Sequence, residues 1–117
     1  MKKTLLWLDD SRDPFRDDWL NFSPIGKDIH VLWAKSYSEF IKTIIVDGIP
    51  DGICFDHDLG FDEGNLERKT GYDCALWLIL YCNKNKIELP LYNIQSSNSI
   101  GKERIDFLLK SYNNLFK

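Results

Sequence analysis

Three observations predict a doubly wound α/β domain. Four short apolar segments each close on a cluster of polar or acidic residues, and segments of helical periodicity alternate with them. Strands joined through such crossovers pair in parallel, and right-handed connections then place helices on both faces of a sheet of about four strands. The length of 117 residues with 44% hydrophobic composition suits one core, so residues 1–117 are read as a single domain.

The first strand is Thr4 to Leu8, an apolar run stopped by Asp9 and Asp10. "SRDPFRDDWLNF" allows a short helix after Pro14, with Phe15 and Trp19 spaced to face the core. Ile29 to Ala34 is the second strand. Ser36-x-x-Glu39 is a capping box that opens a helix, in which Tyr37, Phe40, Ile41, Ile44 and Ile45 form one apolar stripe. Gly48, Pro50 and Gly52 break the chain before the third strand, Ile53 to Phe55. "GFDEGNLERK", residues 60–69, reads as an exposed loop longer than most connections, and loops of that length often carry function. Thr70 with Asp73 caps the next helix, whose buried face is Tyr72, Ala75, Leu76, Ile79 and Leu80, widened by Trp77 and Leu78. After Pro90, "LYNI" is the fourth strand and ends at "QSSNSIG". Ile105, Leu108, Leu109, Tyr112 and Leu115 mark a last amphipathic helix.

A net charge of −3 and a pI near 5.3 give no global attraction for nucleic acid or an anionic membrane, so phosphate binding must come from local groups. No apolar run approaches the roughly 20 residues of a membrane span. "MKKTLLWLDD" reaches acidic residues too early for a signal peptide. The expectation is a soluble, cytoplasmic protein without a membrane partner. Cys54, Cys74 and Cys82 form no CxxC pair and lie in apolar segments, which suits reduced core thiols.

Ligands of doubly wound sheets bind beyond the carboxyl ends of the strands, where the winding direction reverses. Asp9 and Asp10 follow the first strand, and Asp56 and Asp58 follow the third. Like charges that close together raise one another's pKa, so the cluster is ionised at neutral pH when a cation sits within it. Oxygen donors favour Mg²⁺, with Mn²⁺ possible. Each aspartate alone is better read as an ordinary turn former or cap, and Asp13 is read only as that. Four of them at two neighbouring strand ends are read as a site.

His57 beside Asp58 is either a proton carrier or an orienting partner. Gln95, Ser96, Ser97 and Asn98 enter a helix whose free N–H groups favour an anion, with Gly101 allowing close backbone approach, although Asn98 or Ser99 equally serves as its N-cap. Of Arg12, Arg68, Lys69, Lys102 and Arg104, Arg12 is best placed to meet phosphate oxygens, two residues beyond the acidic pair.

"LWLDDSRDP", "FDHDLG", "TGYD" and "QSSNSIG", in this order across residues 5–101, resemble the cyclic-phosphate processing receiver domains, a divergent relative of response-regulator receivers. The resemblance implies a receiver-like sheet of order 2-1-3-4 and a Mg²⁺ site at Asp9, Asp10 and Asp56. It further implies functional roles for Arg12, His57, Asp58, Ser96 and Asn98, and a proposed activity on cyclic phosphate ends of RNA. Two departures stand out. Gln95 and Ser99 replace the histidine and proline of the family's His-Ser-x-Asn-Pro-x-Gly motif. The receiver's fifth strand and its terminal lysine are expected to be missing, which would leave the fourth strand as an edge open to a homodimer.

The implied activity is a metal-dependent phosphoesterase acting on a nucleotide or RNA end that bears a 2′,3′-cyclic phosphate. Asp56, His57 and Asp58 would be its catalytic groups, with proton transfer by His57 or Asp58. Arg12, Ser96 and Asn98 would hold phosphate oxygens. Asp56-x-Asp58 also resembles the nucleophile and acid pair of haloacid-dehalogenase phosphatases, in which that pair follows the first strand instead. A third reading is a non-catalytic receiver or binding module that responds to metal or to phosphorylation at Asp56.

Overall fold

The structure, a computed structural model, describes residues 2–60 and 68–115. The elements are β1 (Lys3–Leu8), a 3-10 turn (Trp19–Phe22), β2 (Ile29–Ala34), α1 (Tyr37–Asp47), β3 (Gly52–Phe55), α2 (Gly71–Asn85), β4 (Leu91–Ile94) and α3 (Ser99–Leu115). The strands form one parallel sheet of order β2-β1-β3-β4. The chain moves outward from β1 to β2 and then back across β1 to β3. The winding direction therefore reverses between β1 and β3, which opens a crevice at their carboxyl ends.

Register decides what reaches that crevice. Leu8 pairs with Ala34 on one side and Phe55 on the other, and Phe55 pairs with Ile94. The ladder runs one step further: the amides of Asp9, Asp56 and Gln95 donate to the carbonyls of Ala34, Leu8 and Phe55, each at 3.0 Å. Asp9, Asp56 and Gln95 thus lie in one row across three strands.

Both faces of the sheet are covered, but unequally. Leu6, Leu8, Ile53, Phe55 and Ile94 pack against all three α-helices through Phe40, Ile44, Ala75, Leu78, Ile105 and Leu109. Leu5, Trp7, Ile29 and Cys54 on the other face are covered by Trp19, Leu20, Phe22 and Ile25 in and after the 3-10 turn. The helix expected after Pro14 does not form. Asp17 and Asp18 adopt left-handed backbone angles that interrupt a right-handed helix, and the Asp13 side chain accepts the Phe15 amide in a local turn. Phe15 is 71% exposed, whereas Trp19 does reach the core.

Helix faces also differ from the sequence expectation in detail. The buried stripe of α2 is Cys74, Ala75, Leu78, Ile79 and Cys82, and Leu76 and Leu80 face outward. Small thiols fill two places of that stripe because they behave as compact hydrophobes. Ile45 and Leu115 are likewise exposed. All three cysteines are buried and unpaired, and burial pushes the Cys54 and Cys82 thiols up to about 12 and about 11, so they are inert core groups as expected.

The caps hold, with one shift. Ser36 accepts the Glu39 amide, but the Glu39 carboxylate returns to the Lys35 amide instead of that of Ser36. Thr70 and Asp73 close their box, the Thr70 amide donating to Asp73 at 2.8 Å. Most of "GFDEGNLERK" lies outside the described residues, which exclude 61–67. Among the described residues no helix is long and apolar enough to cross a membrane.

Candidate functional site

At the reversal point Asp9, Asp10 and Asp56 each offer a carboxylate oxygen, and the three oxygens lie within 4.8 Å of one another. Asp9 is fully buried and Asp56 nearly so. Asp9 Oδ1 accepts the amides of Ser11 and Arg12 at 3.0 and 2.9 Å, which bends the chain sharply after β1. Two indoles fix that bend. Trp7 Nε1 donates to the Arg12 carbonyl at 2.9 Å and Trp33 Nε1 to the Asp9 carbonyl at 2.7 Å. Asp10 Oδ2 accepts the Gly60 amide at 2.7 Å, tying the segment after β1 to the one after β3.

Arg12 folds back over this cluster. Its guanidinium lies 3.2 Å from Asp9 Oδ2 and 3.6 Å from Asp56 Oδ1, and it stacks on Trp19 with its central carbon 4.9 Å from the ring centre. Arg12 by itself does not offset three carboxylates. Burial, then the charge of Asp9, pushes the Asp56 carboxyl up to about 7 despite Arg12.

A divalent ion fits the groups present. The donors are all hard oxygens, they converge, and Asp56 is held in a place where its charge is disfavoured until more positive charge arrives. Asp9, Asp10 and Asp56 are the residues that would hold such an ion.

A second network begins one residue along the chain. His57 Nδ1 lies 2.8 Å from Asp58 Oδ1, and Asn98 Nδ2 donates to both Asp58 oxygens at 3.3 and 3.2 Å. The hydrogen bond from His57 holds the Asp58 carboxyl below the usual carboxylate range. Asn98 also caps α3, its Oδ1 accepting the Gly101 amide at 2.9 Å. It therefore combines the capping role with direct contact to Asp58. Ser96 Oγ accepts the Asn98 amide at 3.1 Å and so shapes the same turn.

Two glycines allow this arrangement. A Cβ on Gly71 would overlap the carbonyl oxygen of Asp56, and one on Gly101 would overlap the His57 ring. The amino ends of α2 and α3 can close on the end of β3 only because both positions lack a side chain.

The structure brings Asp9, Asp10, Asp56 and Arg12 together in one cluster, and His57, Asp58, Ser96 and Asn98 in an adjoining one. Asp13 serves its local turn, as expected. Of the other basic candidates, Arg104 stacks over Tyr72 at 4.5 Å and Lys69 lies over Tyr37 at 5.6 Å. Sequence reasoning missed the Trp7 and Trp33 clamps and the packing role of Gly71, whereas the close approach expected at Gly101 is there, made by the His57 ring. Tryptophans at paired strand positions were the available signal for the clamps.

A family model described as the cyclic-phosphate processing receiver domain matches residues 4–111. No curated protein is similar enough to match the chain. Among solved structures, the signal receiver domain of a LuxO repressor protein from Vibrio parahaemolyticus has a TM-score of 0.53 at 13% identity, covering 97% of this chain and 94% of that one. A fusion that contains a yeast Spc42 trimeric coiled-coil segment has a TM-score of 0.52 at 16% identity, covering 99% of this chain and 85% of its own. At these identities the likeness shows the fold alone.

Proposed function

The chain belongs to the cyclic-phosphate processing receiver domain family, and from that premise we propose that it opens the 2′,3′-cyclic phosphate of an RNA or nucleotide end, using Mg²⁺ or Mn²⁺ held by Asp9, Asp10 and Asp56. The observation that carries this reading is the convergence of three carboxylate oxygens within 4.8 Å at the winding reversal of the sheet. The bound ion would supply positive charge against a phosphate oxygen and favour deprotonation of the attacking water.

The protein's own groups do the rest. Asp58, ionised because His57 hydrogen-bonds it, keeps the Nδ1 proton of His57 pointed toward itself and leaves Nε2 for proton transfer. Water adds to phosphorus, one ribose P–O bond breaks, and His57 carries the proton from the water to the departing ribose oxygen. Arg12 adds charge to the site, its remaining N–H groups free to turn toward phosphate oxygens when a metal takes over the carboxylates. Ser96 and the amides at the start of α3 complete the phosphate cradle, while Asn98 holds Asp58 in place. A net charge of −3 suits recognition of the end alone, with little grip on flanking RNA.

The test is an RNA with a 2′,3′-cyclic end incubated with the protein and Mg²⁺ or Mn²⁺, read by loss of the cyclic end. Turnover that disappears in Asp56→Asn is the expected result. Asp56 at the centre of the sheet is also where a receiver would be phosphorylated. An intact cyclic end with both metals, together with a change of oligomeric state on adding beryllofluoride, would replace the enzyme reading with that of a signalling receiver.

A further inference from the structure

Gln95 continues the row that contains Asp9 and Asp56, and it is only 4% exposed. Its side chain crosses the end of β3: Nε2 donates to the Leu8 carbonyl at 3.0 Å and lies 3.4 Å from Asp9 Oδ2. These two acceptors fix the orientation of the amide, because the reversed orientation would set oxygen against oxygen. The other end of the amide is then left over. Oε1 is buried and has no hydrogen-bond partner among the described residues. Folded proteins hold few such groups, and an orphaned oxygen beside an acidic cluster calls for a positive or proton-donating ligand.

We propose that Gln95 is the neutral fourth oxygen donor of the cation site, its Oε1 ligating the divalent ion held by Asp9, Asp10 and Asp56. The assignment rests on the cation reading given above. Amide carbonyls are ordinary ligands of hard cations, and a neutral one adds a donor without adding to the repulsion among the carboxylates. Leu8 O does not depend on Gln95, since it also accepts the Asp56 amide at 3.0 Å.

Gln95→Met and Gln95→Glu separate the oxygen from the N–H group, because both variants lose the Nε2 donor and only the second keeps an oxygen at that reach. Calorimetric titration of the full chain with MgCl₂ and with MnCl₂ reads the effect, alongside cation-free melting curves. The expected result is one ion bound by the wild type, affinity weakened about tenfold or more in Gln95→Met, and binding at least as tight as wild type in Gln95→Glu. Equal weakening in both variants would assign the role to the Nε2 bonds and overturn the proposal. So would wild-type affinity in Gln95→Met, even if RNA turnover stands. A wild type that binds neither metal overturns this proposal and the cation reading together. Should Gln95→Met not fold, Gln95→Leu takes its place with the same two outcomes.

Discussion

The carboxylate cluster and the His57 network adjoin on one rim, yet they differ in how completely their polar groups are satisfied. Asp58 takes hydrogen bonds from His57 and Asn98, and Asn98 is engaged at both ends of its amide. Folding alone completes that network. The cluster is left incomplete: Asp56 is buried beside Asp9, with Arg12 facing both, and Gln95 Oε1 has no partner among the described residues. Polar groups that satisfy one another are positioned by the fold, whereas groups held together against their own electrostatics are positioned for something that binds.

The largest expected effect falls on the incomplete side. Asp56→Asn should cost about 10³-fold in turnover while raising the cation-free melting temperature, since it removes a charge that burial and Asp9 oppose. A variant that loses both activity and stability would show that the carboxylate supports the fold. On the satisfied side, His57→Ala should cost about a hundredfold in rate and leave calorimetric Mg²⁺ affinity unchanged. A matching loss of affinity would merge the two regions into one.

Gly101→Ala tests the contact that seats the imidazole. The added Cβ must displace the His57 ring, so a loss of about tenfold in kcat is expected with little change in KM. Unchanged kcat would mean that the ring position is immaterial.

The smallest effect is a pH slope. The Asp56 pKa in the folded protein, about 7, stands above the ordinary carboxylate value of 3.8. Between those values the folded state holds more protons than the unfolded chain, so cation-free stability falls as pH rises from about 4 to about 7, by at most about 1.4 kcal/mol per pH unit. Asp58, with its lowered pKa, acts in the opposite sense, its contribution being lost only as pH falls below the ordinary carboxylate range. Chemical denaturation of wild type and Asp56→Asn across pH 4 to 8 should show the slope in the first and its flattening in the second.

Much of this contrast was legible in the sequence. Strand ends are marked by abrupt apolar-to-acidic changes, so Asp9, Asp10 and Asp56 could be placed on one rim before any coordinates. Ser36 and Thr70 announced their helices by spacing alone. What stayed hidden depends on side-chain direction and close approach. Whether Leu76 or Cys74 faces the core depends on which face of α2 packs on the sheet, and the need for Gly71 appears only when the amino end of α2 meets β3. The segment after Pro14 misled because its local turn, formed by Asp13, Asp17 and Asp18, competes with a helix that the spacing of Phe15 and Trp19 permits. Gln95 was read as a departure from a motif, and its reach across β3 required the register of three strands.

Phosphorus NMR of a 2′,3′-cyclic nucleotide, followed with the protein and Mg²⁺ before and after adding EDTA, tests the central claim most directly. Conversion of the cyclic resonance to a phosphomonoester that stops when EDTA removes the metal is the predicted result. A cyclic resonance that persists throughout, or a conversion indifferent to EDTA, would contradict the account.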